Sequence, residues 1–212
     1  MTRTQRVDGQ ATKEKLLECA GRLIAEQGYE RTTSKAICQL AGANAAAINY
    51  HFGSREGLYR ELLTLVHQRL MSLDVIQQIA EAPDEPRRKL RRFMAHFLKQ
   101  TLLDKSWELS VWARELLHPS PVFAEIFAQN IVPKRDAMLQ VFSEYTGRSA
   151  DDPCLPGAIL GFMAPFGVLF LGRQKSLGYE VTYQESRVTL IQLLHSLQRF
   201  AFAGLDAFVV KK

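Results

Sequence analysis

Apolar positions in the first third of the chain recur at helical intervals and are punctuated by glycine. Leu16, Leu17, Ala20, Leu23 and Ile24 step along one helical face and stop before Gly28, which predicts an amphipathic helix ended by a glycine. Thr32, Thr33 and Ser34 then offer N-caps for a short helix carrying Ala36, Ile37 and Leu40, and Gly42 breaks it. Asn44 caps a third short helix that runs through His51. Ser54 caps a fourth, with Glu56 and Glu61 near its start and Leu58, Leu62, Leu65 and Leu70 turned inward.

Beyond residue 58 the punctuation changes. No glycine occurs until Gly147, and all eight prolines lie after residue 82. Pro83-Asp84-Glu85-Pro86 predicts a turn and a boundary in the packing. Leu90, Phe93, Met94, Phe97, Leu98, Thr101 and Leu102 trace one face of a fifth helix, and further helices are expected over 106–117, 121–146 (bent at Pro133), 153–175 and 184–208. Val181-Thr182-Tyr183 is the one weak strand candidate. The expected fold is all-α with about nine helices. It divides into a basic arm at 1–10, a small helical unit at 11–57, a connecting helix and linker at 58–82, and a larger helical domain at 83–212.

Composition bounds the reading. At 212 residues, 47% hydrophobic and 23% charged, the chain has ordinary globular proportions and can bury a core without disulfide staples. Cys19, Cys38 and Cys154 form no CxxC pair and read as buried small hydrophobes in a reducing compartment. The polar start, MTRTQRVDGQ, lacks a secretory apolar run, so a cytoplasmic location is expected. Twenty-seven basic against 22 acidic residues give a net charge of +5, which permits an anionic partner without requiring one. Nine basic and six acidic residues fall within 1–60, so that segment carries +3 of the +5. Arg3 and Arg6 suit either a minor-groove arm or a solubilising tail.

The sharpest signal is the spacing over residues 34–52. A short helix, a glycine turn and a second short helix match the helix-turn-helix plan, in which the second helix enters the major groove of DNA. Cys38 is small where the two helices approach, Gly42 adopts a left-handed turn at little cost, and Ile48 locks the second helix against Ile37 and Ala41. With Ile48 inward, Ala46, Ala47, Asn49 and Tyr50 face a partner. Alanines permit close approach to base edges, Asn49 has the groups to pair with adenine, and Thr33 and Asn44 stand at helix starts suited to phosphate. The same spacing also describes an ordinary helical hairpin, with Gly42 acting only as its C-cap.

The stretches Gly28-Tyr-Glu-Arg-Thr-Thr-Ser34, Ile37-Cys-Gln-Leu-Ala-Gly-Ala43 and Ile48-Asn-Tyr-His-Phe-Gly-Ser-Arg-Glu-Gly-Leu-Tyr59 together resemble the TetR family of bacterial transcriptional regulators. The resemblance covers about residues 11–60. It implies a three-helix DNA-binding domain on a helical ligand-binding and dimerising domain. By position it implies backbone contacts to double-stranded DNA from Thr33, Asn44, Tyr50, His51 and Arg55. Ala45, Ala46 and Asn49 would lie near bases or adjacent phosphates. Asn49 stands where the family commonly has tyrosine, and Asn44 where it often has serine, so Tyr50 is placed to take over a phosphate contact. The segments Ala113-Arg-Glu-Leu-Leu-His-Pro-Ser-Pro121 and Asn130-Ile-Val-Pro133 look like the C-terminal domain of a subgroup that responds to drugs and toxic compounds.

Residues 153–172 carry no charge for twenty positions, a length that would span a bilayer. Pro156, Pro165 and the glycines favour instead a helix buried at a subunit interface, with Gly157 and Gly161 permitting close packing. Its natural partner is the last helix, through Leu190, Leu194, Leu197, Ala201 and Leu205, in the four-helix homodimer that the resemblance implies. Phe93, Phe97, Trp112, Phe127, Phe142, Met163 and Phe166, with Trp107, Phe123 and Met138, supply bulky walls for a small-molecule effector pocket or simply for a core. Arg114, beside Glu115, would orient a polar ligand group or form a structural ion pair. The histidines lack metal-ligand spacing, and no P-loop, nucleophile elbow or dinucleotide fingerprint occurs, so no metal, cofactor or catalytic role is expected. The leading expectation is a ligand-responsive repressor that binds a palindromic operator as a dimer. An activator, a regulator without ligand, a helical enzyme and a membrane-associated bundle are the alternatives.

Overall fold

The computed structural model describes residues 3–103, 106–172 and 187–210, and every regular element among them is helical. In order these are α1 (Arg3–Gln27), α2 (Ser34–Ala41), α3 (Ala47–Phe52), α4 (Arg55–Leu70), α5 (Leu73–Ala80), α6 (Pro86–Leu103) and α7 (Trp107–Leu117). They are followed by α8 (Phe123–Ile126), a π-helical turn (Phe127–Ile131), α9 (Val132–Thr146), α10 (Leu155–Gly172) and α11 (Arg187–Asp206). The strand candidate at 181–183 and the side chains of Arg3, Arg6 and Leu190 lie outside the described residues. Among the described residues no helix is long and apolar enough to cross a membrane.

Packing gathers the chain into two units, Met1–Leu70 with Ser106–Asn130, and Met71–Lys105 with Ile131–Lys212. This departs from the linear division expected at 58–82, because residues 106–130 return to the N-terminal unit. The core of that unit combines Leu16, Ala20 and Ile24 of α1, Ile37, Cys38 and Ala41 of α2, Ile48 of α3, and Leu58, Leu62 and Val66 of α4 with Val111, Val122 and Ile126. Burying each such side chain contributes roughly 1.5–3 kcal/mol, so α7 and α8 are integral to the unit.

Polar contacts fix the same association. Trp107 Nε1 donates to Glu18 at 2.9 Å, and Arg69 reaches Glu18 at 3.3 Å and the buried Glu108 at 2.7 Å. Burial pushes the Glu18 carboxyl up, but hydrogen bonds from Trp107, Arg69 and Arg22 outweigh it and hold the group below its ordinary value. Arg114 and Glu115 do not pair with each other. Arg114 donates to the carbonyls of Ala25 and Glu26, both at 3.0 Å, which are orphan acceptors at the end of α1. Glu115 is 2% exposed and accepts from the Tyr59 hydroxyl at 2.6 Å, the Ser120 N–H at 3.0 Å and the Ser120 hydroxyl at 2.6 Å.

The second unit is held by Ile76 and Ile79 of α5, Leu90, Phe93, Met94 and Leu98 of α6, Met138, Val141 and Phe142 of α9, Phe162 and Phe166 of α10, and Ala201, Phe202 and Leu205 of α11. Phe162 sits edge-on to both Phe142 (5.2 Å) and Phe202 (5.5 Å), a favoured aromatic geometry.

Several expectations change. The arm expected at 1–10 is, from Arg3 on, the opening of α1, since no proline separates it from the helix that follows. The connecting helix ends at Leu70, and Ser72 caps a separate α5 by accepting from Val75 N–H at 3.3 Å. The helix expected over 121–146 is interrupted at the π-helical turn just before Pro133, where proline has no N–H to continue the hydrogen-bond ladder. Leu40 is exposed, and Ile37, Cys38 and Ala41 define the buried face of α2. Cys154 is exposed too, in the turn where Asp152 accepts its N–H.

Residues of the expected dimer face of α11 also pack within the subunit. Ala201 is buried and Leu194 and Leu197 are half-buried against the second core, so this stripe closes the subunit itself. Among the described residues, the large exposed apolar side chains of α11 are Ile191 and Phe200, while Gly157 and Gly161 are exposed on α10 beside Leu160 (71% exposed) and Val168.

Gly21 lies against the Trp107 ring, where an added Cβ would collide with it. Gly21→Ala should lower the unfolding free energy by about 1–3 kcal/mol through overpacking. Urea denaturation followed by tryptophan fluorescence checks this.

Candidate nucleic-acid interface

Residues 32–57 form a short chain of capped turns. Thr33 Oγ1 accepts from Ala36 N–H at 3.2 Å and starts α2. Gly42, at φ +63°, ends it in the left-handed region, where its N–H and that of Ala43 close onto the carbonyls of Gln39 (3.2 Å) and Cys38 (2.9 Å). The Asn44 side-chain oxygen then accepts from Ala46 N–H at 2.8 Å, and its carbonyl accepts from Ala47 N–H at 2.9 Å. Asn44 therefore caps the turn that leads into α3, three residues ahead of the first residue of the helix. Ser54 Oγ accepts from Gly57 N–H at 2.9 Å and starts α4. A side chain at Gly57 would strike the Phe52 carbonyl, so its absence sets the approach of α4 to α3.

Burying Ile48 in the core shared with Ile37, Cys38 and Ala41 fixes the rotation of α3. The opposite side is left open. Thr33, Asn44, Ala45, Ala46, Asn49 and Tyr50 are all exposed, so six of the eight expected DNA-facing residues share the solvent side of this motif. Tyr50 is 73% exposed and touches His51 edge-on at 4.9 Å. A large aromatic held out in water on a small helix has no packing role there, and its ring and hydroxyl suit it to contact with a partner. Ala47, expected on the open face, packs partly against the core.

His51 and Arg55 differ from the other six. His51 is half-buried. Arg55 is half-buried and donates to the Thr32 carbonyl at 3.1 Å, with its guanidinium 4.3 Å from the Tyr29 ring centroid. Tyr29 in turn stacks on Tyr59 at 4.2 Å. Burial, with Glu115 accepting its proton's hydrogen bond, pushes the Tyr59 hydroxyl far above its ordinary value, so Tyr59 stays a neutral donor. Arg55 thus braces the turn leading into α2.

Two exposed residues of α2, Lys35 and Gln39, share the open side one turn apart and were not among the expected contacts. Their spacing opposite Ile37 and Ala41 was the available signal. The expected ligand-lining residues do not fall in one place. Trp112, Arg114 and Phe127 belong to the first unit, and Phe93, Phe97, Phe142, Met163 and Phe166 to the second. Phe142 and Phe166 are fully packed core residues, Phe97 lies 6.3 Å from Phe166, and Trp112 packs on His67 and Phe123. A cavity of about 510 Å³ in the first unit, between the end of α1 and the end of α7, includes only Arg114 of the set.

The sequence profile described as bacterial regulatory proteins, tetR family, matches residues 16–62, and that of the C-terminal domain of the HTH-type transcriptional dual regulator CecR matches residues 86–205, more than half of the chain. The chain is 30% identical to the HTH-type transcriptional regulator AcrR of Shigella flexneri over 105 residues, which is 50% of this chain and 48% of that relative, so it spans about half of that protein's length. It is 27% identical to the dual regulator CecR of Shigella flexneri over 173 residues, 74% of this chain and 77% of the relative. A crystal structure of PfmR, a TetR family transcriptional regulator from Thermus thermophilus, superposes with a TM-score of 0.64 at 19% identity, covering 90% of this chain and 98% of that one, a likeness of fold.

Asn44→Ala removes the acceptor for the Ala46 N–H and should cost about 1 kcal/mol, whereas Asn44→Asp keeps an acceptor and most of the stability. Chemical denaturation of both variants, with amide exchange at Ala46, checks it.

Proposed function

The chain belongs to the TetR family of bacterial regulatory proteins, and on that premise we propose that it is a homodimeric, DNA-binding transcriptional repressor that a small molecule releases from a palindromic operator. The observation that carries the reading is the exposed Asn49 and Tyr50 on a helix whose rotation is fixed by buried Ile48. Small Ala45 and Ala46 beside them let the helix approach base edges closely, and Asn49 offers both a donor and an acceptor to an adenine. Thr33, Asn44 and Tyr50 are exposed toward phosphate, and the free N–H groups at the start of α2 add to an anion's stabilisation there. His51 adds a further polar contact at the end of α3. Arg55 serves by holding the turn before α2 through Thr32 and Tyr29, with its remaining donors directed to the backbone.

A single such head reads only a few base pairs. Two heads on one palindrome, with their recognition helices about 34–36 Å apart, read two half-sites in successive major grooves. The face available for pairing is the apolar side of α10 and α11, with Leu160, Val168 and Phe200 exposed beside Gly157 and Gly161. Effector binding in the helical C-terminal domain, with Phe97 and Met163 among its walls, would change the separation of the heads. A coupling of about 1–3 kcal/mol corresponds to a 5- to 150-fold loss of operator affinity. The protein then acts by binding alone and performs no catalysis.

Operator sites selected from genomic DNA, followed by anisotropy titration, test the reading. Tyr50→Ala and Asn49→Ala should each weaken specific binding by about 1–3 kcal/mol while fold and dimer persist. Unchanged specific affinity in both variants would refute the reading face. Leu160→Glu combined with Phe200→Glu should yield a monomer in sedimentation velocity and abolish operator binding, because desolvating a carboxylate at an apolar interface costs several kcal/mol. A dimer that survives both changes places the interface elsewhere.

A further inference from the structure

The second unit contains a concentration of positive charge that DNA recognition does not use. The first turns of α6 carry Arg87, Arg88, Lys89, Arg91 and Arg92. Most are answered by carboxylates within the unit. Arg88 and Arg92 both pair with Asp84 (3.2 and 2.9 Å), Lys89 pairs with Glu144 (3.4 Å), and Arg87 reaches Asp206 at 3.3 Å. Arg91 has no ion pair among the described residues, and neither has Arg199 on the facing helix α11.

These two guanidinium groups converge on one concavity. A cavity of about 340 Å³ between α6 and α11 is lined by Arg87, Arg91, His195, Gln198, Arg199 and Phe202. On α6 the lining residues are four apart, and on α11 they follow i, i+3, i+4, i+7, so each helix presents one coherent face. No carboxylate is among the described residues that line it. Its apolar floor is Phe202, with the Arg87 and Arg91 guanidinium carbons 4.4 and 5.8 Å from the ring centroid. The ring helps to hold both cations in place by cation–π attraction. Gathering like charges around a concave, partly apolar wall is unfavourable while the cavity holds only water and becomes favourable when an anion enters. Guanidinium groups match the paired oxygens of phosphate and carboxylate, the Gln198 amide adds a neutral donor, and the volume suits a small molecule.

We propose that this cavity between α6 and α11 is a binding site for a small, multiply charged oxyanion, a phosphate ester or a polycarboxylate, held by Arg91 and Arg199 over the Phe202 ring. The site goes beyond operator recognition and does not depend on it, because its occupancy is read on the protein without DNA.

Isothermal titration of the full chain with inorganic pyrophosphate in one arm and citrate in the other tests the assignment. Saturable binding of either anion at one site per subunit is expected, and the tighter arm identifies the headgroup. Arg91→Ala combined with Arg199→Ala should reduce affinity at least about tenfold, since each removes a charge-assisted contact. Arg88→Ala, which removes a charge of the same helix outside the cavity, should leave affinity within about twofold. Absence of saturable binding in both arms overturns the proposal. So does an equal loss in Arg88→Ala, which would mean a diffuse basic surface. Lowered affinity for non-operator DNA in the double variant, without anion binding in the parent protein, overturns it in favour of a DNA-contacting patch.

Discussion

The first unit depends on a carboxylate that cannot be left alone. Glu115 is almost wholly removed from water, and an ionised group in that position is tolerated only where donors surround it. Tyr59 supplies one donor from α4 and Ser120 supplies two from the turn after α7. Satisfying one side chain therefore ties three segments together. Arg114, the preceding residue, extends the tie to a fourth by taking the last carbonyls of α1. Tyr59 also stacks on Tyr29, and Tyr29 lies under the guanidinium of Arg55. A continuous set of contacts thus runs from the end of α7 to the turn that launches the helix-turn-helix. Residues 106–130 are part of the DNA-binding unit for this reason, although they lie far from it in sequence.

Given that frame, the recognition surface needs few further instructions. Gly42 closes α2, Asn44 begins the next turn, Ile48 fixes the rotation of α3, and Gly57 lets α4 approach. Each is a local stereochemical choice, and the first three were legible in the sequence because caps, left-handed glycines and apolar spacing act within a few residues, whereas the approach at Gly57 emerges only in the fold. Hence six of the eight expected contact residues lie on the open side. Arg55 was less legible. A cation beside a recognition helix reads as a phosphate ligand, and only the folded chain brings Thr32 and Tyr29 to it.

What the sequence concealed follows the same division between local and distant. Tyr59 lies 56 positions from Glu115 and Ala25 lies 89 from Arg114, so in sequence the pair looked like neighbours neutralising each other. The stripe of α11 that packs on the subunit's own core was hard to read for another reason. Both sides of that helix carry large apolar residues, and periodicity alone cannot say which stripe meets the subunit's own core. Leu194, Leu197 and Ala201 close that core, leaving Ile191 and Phe200 outside. The expected aromatic wall divides between the two units, and Phe142 and Phe166 pack in a core, since bulky residues spaced along helices fill cores as readily as they line cavities.

The modest charge of the chain makes the outward stripe as consequential as the recognition helix. With +3 in the first sixty residues and +5 in all, phosphate attraction from one head is weak and strongly screened at physiological salt. The proposed base contacts from Asn49 and its neighbours would add a few kcal/mol at most, because the helix is short and the two exposed positions leading into it are alanine. Joining two heads turns the second encounter into an intramolecular one, which multiplies avidity without any new contact to DNA. That gain exists only while the separation of the heads matches the operator. On the proposed reading, the exposed residues Leu160, Val168 and Phe200 are the counterpart of exposed Tyr50. On that reading, the one set of exposed residues would join two copies of the chain and the other would meet the nucleic acid that the pair is spaced to read.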